Sequence, residues 1–354
     1  MITGRGRGRL ASPRPQAALC EGGRLLQRLG VPATMSPVLT VLLVTFPFFA
    51  LVLAGFVAAR RRWLPLEAIP GLNTFVLYFA LPAMLYRFGS TTPIAQLLDA
   101  AVFGVYLLCA LVMVAFTLAM TLNRRIRWND GALGALVAAF PNTGFMGVPL
   151  LAALMGPESV GTVIVLIVVD MVITSSLCIA LSRLDQRDGG ALAAAGKALR
   201  GVLANPMPWA IILGATASAV EFTLPAPIEK TVWLLADAAS PVALFTIGAV
   251  LARSQMQADH PMPWSDYVPV ALMKLLLHPL LVLLAGSVAI QLGVPLDPFA
   301  LTVMVLVAAL PSASNVSLLA ERFGADNGRI ARIILVSTAL AFVSFSGAVA
   351  LLKG

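Results

Sequence analysis

Apolar stretches of membrane-spanning length follow one another along most of this chain. Hydrophobic residues make up 59% of its 354 residues and charged residues 11%, against roughly 45–50% and about 25% in soluble domains. A membrane-crossing helix needs about 20 apolar residues, and ten segments of this kind can be read between the charges. They are 37–59, 68–89, 98–122, 131–155, 159–182, 206–222, 231–252, 267–291, 298–320 and 330–352. The sequence predicts an all-α polytopic membrane protein with ten transmembrane helices.

Proline and small polar residues interrupt the fourth and the ninth of these segments. The interrupting residues are Pro141, Asn142, Thr143 and Gly144 in the fourth segment and Pro311, Ser312, Ser314 and Asn315 in the ninth. Lipid cannot hydrogen-bond an opened backbone, so a broken helix must face protein or a water-filled cavity. Two such breaks at matching positions are typical of a transporter's binding site. We therefore predict that these eight residues bind a substrate.

The chemistry of the first break suits an anionic substrate. Pro141 has no amide proton and biases Phe140 away from helical geometry. The helix that begins beyond the break presents free amides and a positive dipole end, which favour a carboxylate. Asn142 and Thr143 add side-chain donors, and Gly144 lets a ligand approach the backbone. The alternative is a structural kink whose polar groups only satisfy one another.

The basic residues indicate the orientation in the membrane. Fourteen Lys and Arg lie in or beside the loops that follow odd-numbered segments, against Lys230 and Arg87 at the even ones. By the positive-inside rule the odd loops are cytoplasmic, so both termini face outward. The net charge of +8 is thus explained by topology, with the lipid bilayer as the surroundings and no nucleic-acid partner.

Residues 1–35 form a basic N-terminal extension that conflicts with this orientation. Six arginines in it would have to cross the membrane, and it lacks the apolar core of a secretory signal. We expect that translation starts at Met35; a disordered tail is the alternative.

Cysteine and histidine usage gives no sign of catalysis. Cys20, Cys109 and Cys178 form no close pair, and His260 and His278 stand in no metal-ligand spacing. No Gly-rich phosphate loop and no nucleophile with an adjacent base is present. We predict no catalytic residue, no metal, no cofactor and no enzymatic activity.

Internal parallels indicate a duplication. Pro141 and Pro311 lie 170 residues apart, and Gly55 and Gly214 lie 159 apart. Five segments per repeat is an odd number, so the second repeat enters the membrane inverted, as in many alternating-access carriers. The predicted units are a first five-helix repeat, a cytoplasmic linker and a second five-helix repeat, at 36–183, 184–204 and 205–354.

Three stretches resemble the auxin efflux carrier family in its bacterial, malonate-transporter-like branch. They are Asn73–Pro82, Pro141–Pro149 and Ser240–Gly248. The resemblance implies broken helices 4 and 9 that cross, a scaffold of helices 1, 2, 6 and 7, and a mobile set of helices 3–5 and 8–10. It also implies elevator-type transport of organic anions, such as indole acetate in plants and malonate in bacteria, here across the inner membrane. A homodimer is left open.

Two ionisable residues lie deep within predicted helices. Asp170 is central in the fifth segment and Lys274 lies in the eighth. A lipid-facing charge costs at least about 2.5–3.5 kcal/mol, so Asp170 should face the bundle, either paired or protonated. We predict a role in proton coupling for Asp170, and for Lys274 a role as its partner or as a counter-charge for the substrate.

Other functions remain compatible with the sequence. A sodium-coupled organic-anion symporter of the bile-acid type would share the broken helices, and acidic and carbonyl ligands around the crossing would favour it. A non-transporting membrane receptor or a membrane-embedded enzyme is the alternative from another class.

The predicted topology can be tested by labelling. Cysteines introduced at Gln186 and at Pro225 should react with impermeant reagents from opposite sides, with Gln186 cytoplasmic, because one helix separates the two loops. Modification of both positions from the same side would contradict the topology. Deletion of residues 2–34 should leave membrane insertion and transport intact.

Overall fold

The computed structural model describes residues 37–92, 99–184, 200, 206–256 and 262–353. The predictions made for residues 1–35, for Gln186 and for most of the 184–204 linker fall outside these ranges.

Within these ranges the chain is helical and contains no β-strand; one isolated bridge pairs Pro141 with Ser312. The all-α prediction is confirmed. Helices of at least eight residues are numbered in chain order: α1 Pro37–Arg60, α2 Leu66–Thr91, α3 Ala100–Thr121, α4 Trp128–Ala139, α5 Thr143–Met155, α6 Ser159–Leu181, α7 Pro206–Ala219, α8 Ala226–Met256, α9 Val268–Gln291, α10 Pro298–Ala308, α11 Val316–Phe323 and α12 Asn327–Lys353.

Six of these helices are long and apolar enough to cross a membrane: α2, α3, α6, α8, α9 and α12. Shorter apolar helices are formed by Thr45–Arg60 of α1, by α5 and by α10. The predicted segments 131–155 and 298–320 are each divided into two helices, α4 and α5 in the first and α10 and α11 in the second. The described chain is thus a helical membrane protein, and the count of ten spans stays a prediction.

One face of α9 carries an apolar stripe along its whole length. Large exposed side chains recur at every fourth residue, at Leu272, Leu276, Leu280, Leu284 and Val288. Residues four apart share one side of a helix, so these side chains form a continuous surface that water would not favour. Such a surface is expected to face lipid tails.

Four glycines allow very close packing of two helix pairs. α1 packs along α8, where a Cβ added at Gly55 or at Gly248 would overlap the backbone of the opposite helix. α7 packs along α2, where Gly214 and Gly89 lie against each other in the same way. Small residues at such contacts let helix backbones approach in a membrane.

These contacts predict a sharp effect of one added methyl group. Gly248→Ala should lower the free energy of unfolding by about 1–3 kcal/mol, because the new Cβ would meet the Val52 carbonyl and force α1 away from α8. Gly104→Ala in α3 is the matched control, since nothing lies within 4 Å of a Cβ there. The measurement is the thermal unfolding midpoint in detergent, and equal midpoints for the two variants would contradict the packing argument.

Candidate functional site

The first break separates α4 from α5. Phe140 leaves helical geometry, with φ −97° and ψ 103°, as expected for the residue before a proline. Its amide still bonds to Leu136, so α4 is complete up to this point. α5 then starts at Thr143 with a π-helical turn, a feature that is frequent at functional sites.

The two breaks meet through their backbones. The amide of Asn142 donates to the carbonyl of Pro311 at 2.8 Å, and the amide of Ala313 donates to the carbonyl of Phe140 at 2.9 Å. Each break therefore satisfies polar groups that the other helix has left open. The exchange brings together residues that are about 170 positions apart in the chain.

Two backbone donors remain at the start of α5. The Thr143 amide donates to the Pro141 carbonyl at 2.7 Å, whereas the amides of Gly144 and Phe145 have no acceptor among the described residues. Free amides and the positive helix dipole make such an N-terminus suitable for an anion.

Several side-chain atoms at the breaks are also without partners. The amide oxygens of Asn142 and Asn315 and the hydroxyl of Ser312 are buried and make no hydrogen bond to the described part of the chain. Side-chain amide oxygen and nitrogen are assigned from hydrogen bonding, so either end of each amide can be turned to a ligand. Buried polar groups without partners are uncommon, and a ligand or water at this point would satisfy them.

A small cavity of about 20 Å³ lies at the first break. Its lining consists of Phe140, Pro141, Asn142, Thr143, Gly144, Phe145, Ile167, Met171, Met207, Ala313 and Asn315. Five of the eight residues predicted to bind substrate are among them, and Pro311, Ser312 and Ser314 are not. This volume holds about one water molecule, which is too little for an organic anion in this arrangement of the helices.

The second break is supported from two other helices. The amide of Ser312 donates to the hydroxyl of Ser337 on α12 at 3.2 Å. The ammonium of Lys274 on α9 donates to the carbonyl of Ala308, the last residue of α10, at 2.6 Å. A cation at a helix C-terminus is favoured by the helix dipole, so Lys274 serves as a buried cap for α10.

Asp170 and Lys274 lie in one polar cluster but do not pair directly. Asp170 accepts a hydrogen bond from the hydroxyl of Tyr106 at 2.9 Å, and Lys274 contacts the Nδ1 of His278 at 3.1 Å. The rings of Tyr106 and His278 lie 6.0 Å apart. Although both charged residues are fully buried, they form no ion pair with each other.

Tyr106 and Ser337 are site residues that the sequence analysis missed. Tyr106 is the seventh of the 22 residues of α3, and no feature of the sequence distinguishes it from a tyrosine that lies near a helix end. Ser337 is one of several small polar residues in α12, and no feature of the sequence distinguishes it. The described residues contain no group of three or more His, Cys, Asp or Glu that could hold a metal ion.

The contact of Lys274 with Ala308 predicts the effect of removing the charge. Lys274→Met should lower the thermal unfolding midpoint, by an equivalent of about 1–3 kcal/mol, because a buried carbonyl would lose its donor. Lys230→Met is the control, since Lys230 is an exposed residue of α8. A further Asp170→Asn change should not restore stability; full restoration would show that Lys274 is needed to balance Asp170 instead.

Known proteins are similar to this chain over most of its length. The sequence profile of the family described as membrane transport protein matches residues 40–349. A Rhizobium meliloti (strain 1021) protein named "Putative malonate transporter" is 32% identical over 317 residues, which cover 87% of this chain and 94% of that relative. The "Uncharacterized transporter YfdV" of Escherichia coli (strain K12) is 29% identical over 290 residues, which cover 78% of this chain and 86% of that relative.

A plant protein extends the comparison. The "Auxin efflux carrier component 8" of Arabidopsis thaliana is 22% identical over 259 residues, which cover 59% of this chain and 71% of that protein. These relatives are named as transporters, which confirms the resemblance and the prediction that the chain is not an enzyme. The chain therefore belongs to the membrane transport protein family, that of the auxin efflux carriers, and is an integral membrane transporter.

Proposed function

We propose that this protein is a secondary carrier of small organic anions and that the substrate carboxylate binds where the two breaks meet. The observation that carries the proposal is the cavity beside the free amides of Gly144 and Phe145. The partnerless amide oxygens of Asn142 and Asn315 lie at the same breaks. A ligand there would receive donors from one helix N-terminus and from two carboxamides.

Small dicarboxylates are the first substrates to consider. The Rhizobium meliloti relative is named for malonate. The described cavity lining carries no charged side chain and is mostly apolar, and its donors are the amides of Gly144 and Phe145 and the side chains of Asn142 and Asn315. Neutral hydrogen-bond donors and a helix dipole can bind a carboxylate without a full counter-charge. Ser312 and Ser314, which lie outside the cavity lining, would contribute only after the helices move.

An elevator-type movement is the proposed mechanism, with helices α3–α6 and α9–α12 as the mobile set. A buried arginine supports the idea that this set moves as one body. The side chain of Arg329 on α12 donates to the carbonyls of Asp130 on α4 and Asp266 before α9, at 2.9 and 2.8 Å. The backbone contact between the breaks adds a second connection within the same set.

The remaining helices, α1, α2, α7 and α8, are the proposed scaffold. The close glycine contacts between these four helices support their assignment to one scaffold. They also support the inverted repeat. A shift of 159 residues converts Gly55 of α1 into Gly214 of α7, and Gly89 of α2 into Gly248 of α8. Gly55 and Gly248 lie in the contact of α1 with α8, and Gly214 and Gly89 lie in the contact of α7 with α2. Equivalent helices are therefore paired through glycines twice, as expected when two related halves face each other.

The proposed setting is the inner membrane of a bacterial cell, with ten spans and both termini facing outward. Helices 4 and 9 would each consist of two half-helices, α4 with α5 and α10 with α11, and would cross at the breaks. The proposal places the breaks near the middle of the bilayer. This assignment rests on the positive-inside rule and on the family resemblance.

Asp170 is the proposed proton site and Lys274 a counter-charge that stabilises the second break. Both lie in π-helical turns, Val169–Thr174 and Met273–Leu277. Such turns are often found at functional sites. Asp170 is not part of the cavity lining, but its neighbour Met171 is, so a change in the Asp170–Tyr106 bond could be transmitted to the cavity.

The sodium-coupled symporter receives less support. It requires carboxylate and carbonyl ligands close to the crossing, and the described lining of the cavity contains no Asp or Glu. A receptor or membrane-embedded enzyme is not favoured by relatives that are named as transporters.

Transport in proteoliposomes tests the proposal. Uptake of malonate and other mono- and dicarboxylates is measured with and without a pH or sodium gradient. Asn142→Ala and Asn315→Ala should each reduce uptake about tenfold or more, because a hydrogen bond to a charged group contributes about 1.5–3 kcal/mol. Asp170→Asn should abolish accumulation driven by a pH gradient and spare substrate exchange, since exchange needs no proton.

Asn73→Ala is the matched control, because Asn73 is a half-buried asparagine of α2 outside the cavity. All variants are compared at equal amounts of inserted protein. Undiminished uptake in both the Asn142 and Asn315 variants would show that the substrate binds elsewhere.

A further inference from the structure

Lys274 is a buried ammonium whose contacts are all uncharged. Its side chain is fully buried, donates to the carbonyl of Ala308 at 2.6 Å and lies 3.1 Å from the Nδ1 of His278. In the described part of the chain no carboxylate lies within ion-pair distance of it. A charge taken out of water is costly unless an opposite charge compensates it. An anion near Lys274 would therefore be stabilised.

His278 orients the ammonium of Lys274 without neutralising it. Because an ammonium only donates hydrogen bonds, the Nδ1 atom of His278 has to accept, and the neutral ring then carries its proton on Nε2. That Nε2 atom is buried and has no partner among the described residues. The ring thus fixes where the positive charge lies and adds no negative charge to it.

Asp170 is held away from Lys274 by hydrogen bonds of its own. The hydroxyl of Tyr106 donates to its Oδ2 at 2.9 Å, and the hydroxyl of Thr174 lies 3.5 Å from its Oδ1. The acidic half of the cluster meets the basic half through the rings of Tyr106 and His278, whose centroids are 6.0 Å apart. Asp170 therefore compensates Lys274 across these rings, and only while its carboxylate is ionised.

The described helices packed around this cluster supply no further charge at its level. On α3 and α6 the other titratable side chains are the buried thiols of Cys109 and Cys178. α4 beyond Asp130, all of α5 and α10, and α12 beyond Arg332 up to residue 352 contain no titratable residue. Asp130, Arg329 and Arg332 belong to the first turns of their helices.

The charge of the cluster therefore depends on the protonation of Asp170. Ionised Asp170 and the ammonium of Lys274 leave it neutral, whereas protonated Asp170 leaves it with one positive charge. The cluster also adjoins the breaks: Lys274 holds the carbonyl three residues before Pro311, and Met171, next to Asp170, lines the cavity at the first break. Buried charges are little screened, so an anion in that cavity would interact with both groups.

We propose that the substrate anion replaces Asp170 as the counter-charge of Lys274, so that one proton and one negative charge bind together. The anion repels ionised Asp170 and favours its protonation, and protonated Asp170 leaves Lys274 to attract the anion; such coupling is reciprocal. The proton comes from water on the side where the anion enters and resides on a carboxylate oxygen of Asp170. The inference rests on the proposed function and adds the sign of the coupling: proton and anion cross in the same direction.

Malonate binding at two pH values tests this sign. The apparent affinity is obtained from the rise of the thermal unfolding midpoint of the full-length protein during a malonate titration. It should be about tenfold higher near pH 6 than near pH 8. Asp170→Asn keeps the size of the side chain and an acceptor for Tyr106 but never ionises. This variant should bind with the higher affinity at both pH values, so that removal of a carboxylate strengthens anion binding near pH 8.

Asp99→Asn is the matched control. Asp99 caps the first turn of α3, where asparagine is an equally good cap, so this variant should keep the pH dependence of the unmodified protein. Protonation of malonate itself affects all variants equally. An Asp170→Asn variant with the same pH dependence as Asp99→Asn would overturn the inference, as would one that binds malonate more weakly.

Proton uptake on binding is a second measurement and needs no variant. Malonate is added to the unmodified protein in weakly buffered detergent solution at a matched pH between the two values. Up to about one proton should be taken up per bound anion, because coupling acts equally in both directions, and the pH of the solution should rise. A constant or falling pH would overturn the inference.

Proteoliposomes separate this inference from the proposed function. An inward proton gradient should accelerate malonate uptake by the unmodified protein and by Asp99→Asn, and it should have no effect on Asp170→Asn. Uptake by the unmodified protein that ignores the gradient would contradict the coupling and leave the site at the breaks standing. Proton-linked binding without uptake would contradict transport alone, and absence of both binding and uptake would contradict the proposed function itself.

Discussion

The architecture depends on backbone groups that a lipid bilayer cannot satisfy. Pro141 and Pro311 each interrupt an apolar helix and leave amides and carbonyls without helical partners. The two breaks meet these needs for each other, since Asn142 donates to Pro311 and Ala313 donates to Phe140. Neither break could be buried alone without cost, because an unsatisfied group in hydrocarbon costs several kcal/mol. The mutual contact therefore explains why the breaks occur as a pair.

The same requirement explains the buried charges around the breaks. Lys274 reaches the carbonyl of Ala308, and Ser337 accepts from the amide of Ser312, so the second break is stabilised from α9 and α12 together. If the charged side chain of Lys274 contacted lipid instead, the free energy of the folded protein in the membrane would rise by about 2.5–3.5 kcal/mol. Because Lys274 is buried against the C-terminus of α10, its positive charge instead interacts favourably with the helix dipole and caps the helix. The presence of Lys274 inside a membrane helix is thus explained by the carbonyl of Ala308, which the second break leaves without a helical partner.

Much of the helical framework could be predicted from the sequence, because apolar length and proline interruptions are local properties. The helix bounds agree with the predicted segments to within a few residues, as for 267–291 and α9. The break residues were also identifiable, since proline with small polar neighbours stands out in an apolar segment. Tyr106 and Ser337 could not be assigned, because their partners, Asp170 and Ser312, are distant in the chain. Which residues line a cavity depends on how helices meet, and no local pattern records that.

The two breaks are not equivalent, and the difference bears on how the proposed site would bind an anion. At the first break, the start of α5 keeps two free amides beside the cavity. At the second break, the Ser312 amide already donates to Ser337, and Ala313 and Asn315 are the residues of this break in the described lining of the cavity. The helix that follows is also short, Val316–Phe323, so its dipole is weaker. In the proposed site the first break would therefore provide most of the donors for a carboxylate, whereas the second break mainly supplies backbone partners for the first.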